Sequence, residues 1–205
     1  MKQDFLKYYK SNFLVFLIGI LLFIVISAKS HWNLSISIFS IVTTFLVTIT
    51  NYLWKYKPFK WLFTFDDFSG RYEGILRYQY KNESGELITD DLRHIKIIKQ
   101  NGSGISVSSF TYGSNGTKSS ESVNKGMHIE KTKDEQHHIL IYNFLNDGNQ
   151  NKSFPPHYGT DVLKFIKNGN MKLLSGRYFT ERYPFQTRGE YIKLQWVSNN
   201  LNHDF

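Results

Sequence analysis

Two apolar runs and then a change of period divide the chain. Between Lys10 and Lys29 there is no ionisable residue, and Ser11–Ala28 as a helix spans about 27 Å at roughly 1.5 Å per residue, enough to cross a bilayer. A second run without Lys, Arg, Asp or Glu follows from Ser30 to Trp54. A cleaved signal peptide explains the pair poorly, because the second run follows at once and only Ser27-Ala28-Lys29 resembles a cleavage site. Both runs are also too uniformly apolar for a hairpin buried in a soluble protein. The pattern predicts a two-helix transmembrane hairpin over residues 1–57 and a separate domain over 58–205.

From Ser69 the period becomes two. Tyr72, Gly74, Leu76, Tyr78 and Tyr80 alternate with Arg71, Glu73, Ile75, Arg77 and Gln79, which only an extended strand turns into two faces. Further strands are predicted at Leu92–Gln100, Ile105–Tyr112, Lys118–Lys131, His138–Leu145, Thr160–Lys167, Met171–Thr180 and Gly189–Val197. The separators, such as Asn82-Glu83-Ser84-Gly85, Asn101-Gly102-Ser103-Gly104, Asn168-Gly169 and Tyr183-Pro184-Phe185-Gln186, supply positive φ or break the ladder. Eight strands joined mainly by hairpins predict an all-β, antiparallel up-and-down barrel of lipocalin-like type, with Tyr72 and Tyr178 inward. Eight is also the number at which a barrel interior either fills or holds one small ligand.

Charge orients the hairpin. Of a formal net charge of +8, Lys2, Lys7 and Lys10 precede the first span and Lys55, Lys57 and Lys60 follow the second, whereas the turn Lys29-Ser30-His31-Trp32 holds one Lys. The positive-inside rule then places both ends, and the barrel, in the cytoplasm of a two-pass membrane protein. Tyr8, Tyr9, Trp32, Tyr52 and Trp54 lie where an interfacial aromatic belt belongs. Along the second span Asn33, Ser37, Ser40, Thr44 and Asn51 share one face, with Val47 and Thr48 beside them. Such a seam packs either against the first span or against another copy, and Ser37, Ser40 and Thr44 are its candidate self-association residues.

The inventory removes several chemistries. There is no Cys, so disulfides, thiolate catalysis and Cys-based zinc sites are excluded. His94, His128, His137, His138 and His157 show no ligand spacing, and neither paired carboxylates nor a Gly-x-Ser-x-Gly elbow occurs. Gly102-Ser103-Gly104 is a hairpin turn, since no helix follows it. The reading is a binding module without catalytic, metal or cofactor residues.

Strand polarity gathers Tyr78, Tyr80, Tyr112, Tyr158, Thr180, Arg182 and Arg188 at the mouth far from the membrane, with His157 and Thr160 beside them. Arg forks bind phosphate and Tyr faces stack on bases, so the mouth suits a flat anionic ligand. Stacking two bases supplies about 2–6 kcal/mol, whereas sub-micromolar affinity needs more than about 8 kcal/mol, a gap two Arg–phosphate contacts would close. A DNA or RNA polymer fits less well, because no continuous basic stripe appears.

The hairpin, the connector Trp61-Leu62-Phe63, the opening Phe68-Ser69-Gly70-Arg71-Tyr72-Glu73-Gly74 and the later Ser175-Gly176-Arg177-Tyr178 resemble a known family. It comprises the two-transmembrane β-barrel effectors encoded beside cyclic-oligonucleotide synthases in bacterial CBASS anti-phage operons. Tyr72 stands where many lipocalin-like barrels carry Trp. The resemblance implies a membrane-anchored receptor for a cyclic dinucleotide, whose binding drives the hairpins to form a homo-oligomer in the lipid bilayer, disrupts the inner membrane and kills the infected cell. The alternative is a constitutive membrane-anchored barrel that binds a lipid or a protein partner.

Overall fold

A computed structural model of the chain describes residues 5–32, 37–113, 115–148, 155–182 and 186–203. It resolves into two units: Met1–Asp67 with Gln100–Gly104, and Phe68–Lys99 with Ile105–Phe205.

In the first unit, helix α1 (Ser11–Trp32) is long and apolar enough to cross a membrane. Helix α2 (Ile38–Thr48) continues as a π-helical turn, Ile49–Leu53, and is shorter than the predicted second span. Ser37 caps it in extended backbone, which starts the helix at Ile38. Asn33, the first residue of the predicted seam, lies outside the described residues. Ile38, Ile41, Val42, Phe45 and Leu46 are partly covered, whereas Ser37, Ser40, Thr44, Val47 and Asn51 are exposed. The partly covered apolar positions recur at helical spacing, and the exposed ones combine Ser37, Ser40 and Thr44 with Phe39 and Val47.

The segments flanking these helices form an aromatic knot. Lys10 donates its N–H to the Leu62 carbonyl at 2.7 Å and Thr64 donates to Tyr8 at 3.0 Å. This pairing packs Tyr8 edge-on against Phe65 and Tyr9 against Phe63, with centroids 4.8 and 4.5 Å apart. Tyr8, Tyr9 and Trp54, read from sequence as belt residues, are buried in this knot, while Tyr52 is exposed.

The second unit is a closed antiparallel barrel of eight staves. Its strands are β1 (Gly70–Lys81), β2 (Leu87–Gln100), β3 (Ile105–Tyr112), β4 (Lys118–Asn124), β5 (His128–Lys131), β6 (His138–Asn146), β7 (His157–Asn168), β8 (Met171–Thr180) and β9 (Arg188–Ser198). They run in the order β4-β3-β2-β1-β9-β8-β7-β6-β5, and β4 also pairs with β6 to close the ring. The predicted strand Lys118–Lys131 is one stave interrupted at 125–127, since β4 and β5 both run antiparallel to β6. At the break Lys125 still donates to the Asn143 carbonyl, and the Asn124 side chain accepts the Val107 N–H at 2.8 Å. That amide replaces the backbone partner lost where β4 leaves β3.

Strand β9 changes parity midway. Lys193 adopts φ 48°, and the pairing with β1 slips between Glu73↔Gln195 and Ile75↔Ile192, the signature of a β-bulge. Tyr191 and Leu194 are both buried as a result, although they are three residues apart. Gly74 sits opposite, where an added Cβ would meet the Lys193 carbonyl at 2.9 Å.

Candidate functional site

Inward-facing positions divide the barrel interior into layers. At the end nearest Phe68 the interior is apolar and filled: Phe68, Tyr72, Ile98, Leu140, Leu163, Phe165, Leu174 and Leu194 are at most 1% exposed. Phe68 meets Phe165 edge-on at 4.8 Å, and the Tyr72 hydroxyl donates to the Phe68 carbonyl at 2.7 Å. Large side chains on alternating positions produce this floor, because period two puts them all inside.

Across the middle lies a polar belt. Lys96 Nζ on β2 reaches Asp161 Oδ2 and Ser109 Oγ at 2.9 Å each and the Tyr191 hydroxyl at 3.2 Å, and Tyr191 itself donates to Asp161 Oδ1 at 2.7 Å. Three acceptors match the three donors of an ammonium, and Lys96 and Asp161 are both essentially without solvent exposure. Burial pulls the Lys96 pKa down while Asp161 opposes the shift. Burial, with Asp161 adding to it, pushes the Tyr142 and Tyr191 hydroxyls well above the ordinary tyrosine value. The belt is a self-neutralised partition between floor and mouth.

Above the belt is a cavity of about 110 Å³. Its walls include Leu76, Leu92, Phe144, Tyr178 and Tyr191, and its polar lining includes His94, Thr111, Ser120, Asn146, Thr180 and Arg182. Pockets that bury a whole small molecule usually measure about 300–1,000 Å³, so this space has room for only part of one. At the rim the Arg182 guanidinium lies 5.8 Å from the Tyr80 ring centroid, and Tyr80 lies parallel to Tyr78 at 6.2 Å. Burial is the first cause of the raised Tyr78 and Tyr178 pKa values, with Asp90 adding at Tyr78 and Asp161 at Tyr178.

The predicted mouth residues fall into two groups. Tyr78, Thr180 and Arg182 line the cavity, and Tyr80 packs on Arg182. Tyr112, Tyr158 and Arg188 point outward. Tyr112 packs against the outer-face cluster of Ile95, Ile97 and Phe110 and carries Arg93 over its ring; Tyr158 is half exposed; Arg188 donates to Gln79 at 3.4 Å on the surface. Each lies one residue out of phase with an inward neighbour: Thr111, His157 and Gly189, respectively.

Sequence reasoning missed His94, Lys96, Ser109, Thr111, Asp161 and Tyr191. On β2 the residues between the polar ones, Ile95 and Ile97, are as buried as the inward set, because Leu201 of the C-terminal segment packs on them. With both faces buried, alternation carries little information. The usable signal is that His94-x-Lys96 shares the inward parity of Ile98.

A closed barrel with a filled floor, a neutralised partition and an open end lined by Tyr and Arg is a lipocalin-like ligand-binding barrel, here preceded by an apolar helix of membrane-spanning length. The chain belongs to the Cap15 cyclic dinucleotide receptor domain family, whose model matches residues 63–195. Membership agrees with the resemblance carried by the sequence motifs and makes the barrel a cyclic dinucleotide receptor domain of the CBASS type. No curated protein and no solved structure matches the chain.

Proposed function

We propose that the protein is a membrane-anchored effector whose barrel takes a cyclic dinucleotide into the mouth bounded by Tyr78, Tyr80, Tyr178, Thr180 and Arg182. Binding there drives the transmembrane segments to assemble into a homo-oligomer that disrupts the bacterial inner membrane and ends the infected cell's life. The observation that carries the ligand reading is the pairing of an aromatic-walled cavity with a guanidinium at its rim, which suits bases within and phosphates outside. A lipid chain needs a long apolar interior, and the Lys96–Asp161 belt interrupts this one.

Assembly is supported by the polar residues exposed on α2. Ser37, Ser40 and Thr44 are not covered by the chain's own helix α1, and a second copy is the occupant that presents the same groups in a bilayer. The lysine-rich flanks of the apolar segments support a two-pass arrangement with N-terminus and barrel in the cytoplasm.

Dye leakage from liposomes carrying the full-length protein, measured across a panel of cyclic di- and trinucleotides, tests the proposal. Leakage triggered by a cyclic dinucleotide is the expected result. Equal leakage with and without nucleotide favours the constitutive lipid- or partner-binding barrel instead.

A further inference from the structure

Several polar groups around the cavity bond one another. Lys96 and Asp161 are engaged within the belt, and Thr180 and Thr187 exchange hydrogen bonds. His94 differs. Its imidazole lies in the cavity wall and is 3% exposed, with Nδ1 3.0 Å from Thr111 Oγ1 and Nε2 buried without a hydrogen-bond partner among the described residues. A buried polar atom left open is costly and invites an explanation, of which a ligand contact is one.

The chemistry of that open position can be worked out. The Thr111 hydroxyl is itself buried, and the ring is its hydrogen-bond partner among the described residues. With the hydroxyl as the donor to Nδ1, the ring carries its proton on Nε2, which is then an N–H donor. Burial first, and then the nearby Lys96 charge, hold the imidazole well below its ordinary pKa of 6.5, so the ring stays neutral.

The surroundings select what meets that donor. Leu76, Leu92, Phe144 and Tyr178 present apolar and aromatic surface, and the Tyr191 ring lies 5.1 Å from the imidazole. The ammonium below is already matched by Asp161. A phosphodiester at this depth would be a buried anion met by neutral groups with Arg182 only at the rim, which is unfavourable. A nucleobase offers apolar faces to the walls and an acceptor on its edge.

We infer that one base of the ligand enters the barrel edge-first and presents a ring nitrogen or carbonyl oxygen to Nε2–H of His94, while the phosphodiesters remain at the rim beside Arg182. His94 is then the residue that reads base identity, and the rim reads the charge common to all such ligands. This inference rests on the cyclic dinucleotide reading above.

The test is calorimetric titration of the full-length protein in lipid nanodiscs with cyclic di-AMP, cyclic di-GMP, cyclic di-UMP and the mixed cyclic UMP–AMP. The wild type should prefer some members of this panel. His94→Phe, which keeps a flat ring and removes the donor, should weaken the preferred member roughly ten- to a hundredfold and bring the panel closer together. Arg182→Ala should instead weaken every member by a similar factor and preserve their order. Should His94→Phe fail to fold, the ¹⁵N resonance of His94 Nε2 in the wild-type protein decides: it should move on adding the preferred nucleotide while the ring stays neutral. An unmoved resonance, or a His94→Phe protein that retains the wild-type order and affinities, overturns the base-reading role alone. Failure of the whole panel to bind the wild type overturns the receptor reading as well.

Discussion

The two ends of the barrel interior are built by the same strands, all but the bulged β9 on one inward parity, yet they hold opposite chemistry. β7 contributes Leu163 and Phe165 to one end and Asp161 and His157 towards the other; β3 contributes Ile105 and Val107, then Ser109 and Thr111. At the apolar end, side chains fill space and release water, which is worth about 25 cal/mol per Å² of apolar surface buried. At the polar end, groups are buried at a cost offset only by the partners they find. A receptor needs both: the filled end holds the ring closed, so the other end keeps a cavity without collapsing into it.

Breaking the partition between the two ends should have the largest effect. Asp161→Ala leaves the Lys96 ammonium buried without its counter-charge and should destabilise the barrel by about 3–5 kcal/mol. Replacing both partners, Lys96→Met with Asp161→Leu, should recover much of that loss by extending the apolar floor upward. Denaturant melts of the three proteins measure the difference, and a double variant as unstable as the single one would show that the belt stabilises through more than its charge balance.

The open end is sharpened by comparing its rim with the outer wall. Arg182→Ala should weaken cyclic dinucleotide binding by about 1.5–3 kcal/mol with little change in melting. Tyr158→Ala, on the outer face, should change affinity much less. Titration of both variants under one salt condition makes the comparison; a larger loss at Tyr158 would move the site to the outside of the barrel.

The membrane unit offers a similar contrast between two faces of one helix. Ser37, Ser40 and Thr44 replaced together by Leu should leave nucleotide binding intact and reduce ligand-dependent leakage. Three polar contacts at about 0.6 kcal/mol each amount to enough to shift a marginal assembly equilibrium. Full leakage from the triple variant at equal incorporation would exclude that face from assembly.

The last effect concerns pH. His94 has a folded pKa depressed below 6.5 by burial and by Lys96, so below pH 6.5 the unfolded chain binds a proton that the folded barrel refuses. Stability should therefore fall as pH drops from about 6.5 toward the folded pKa, by at most about 1.4 kcal/mol per pH unit. His94→Phe should flatten this slope between pH 6.5 and 5, as read by denaturant melts, and an unchanged slope would assign the dependence to other groups.

What the amino-acid sequence determined by itself is everything that local pattern carries: an uncharged run long enough for a bilayer, a switch to period two, turn residues that cut eight staves, and the motifs of the receptor family. These follow from side-chain spacing and backbone allowance, which neighbours in sequence suffice to specify. The inward identity of Thr111 over Tyr112, of His157 over Tyr158 and of Gly189 over Arg188 was decided only by the tertiary structure. A one-residue change of phase swaps every side chain between faces, and around β2 and β3 the outer face is also covered, so hydrophobicity does not name the inside there. The Lys96–Asp161 contact spans 65 residues, and the bulge at Lys193 lets Tyr191 and Leu194 share one interior. Both depend on ring closure bringing distant strands to a common depth, and that depth is set by register across the whole barrel.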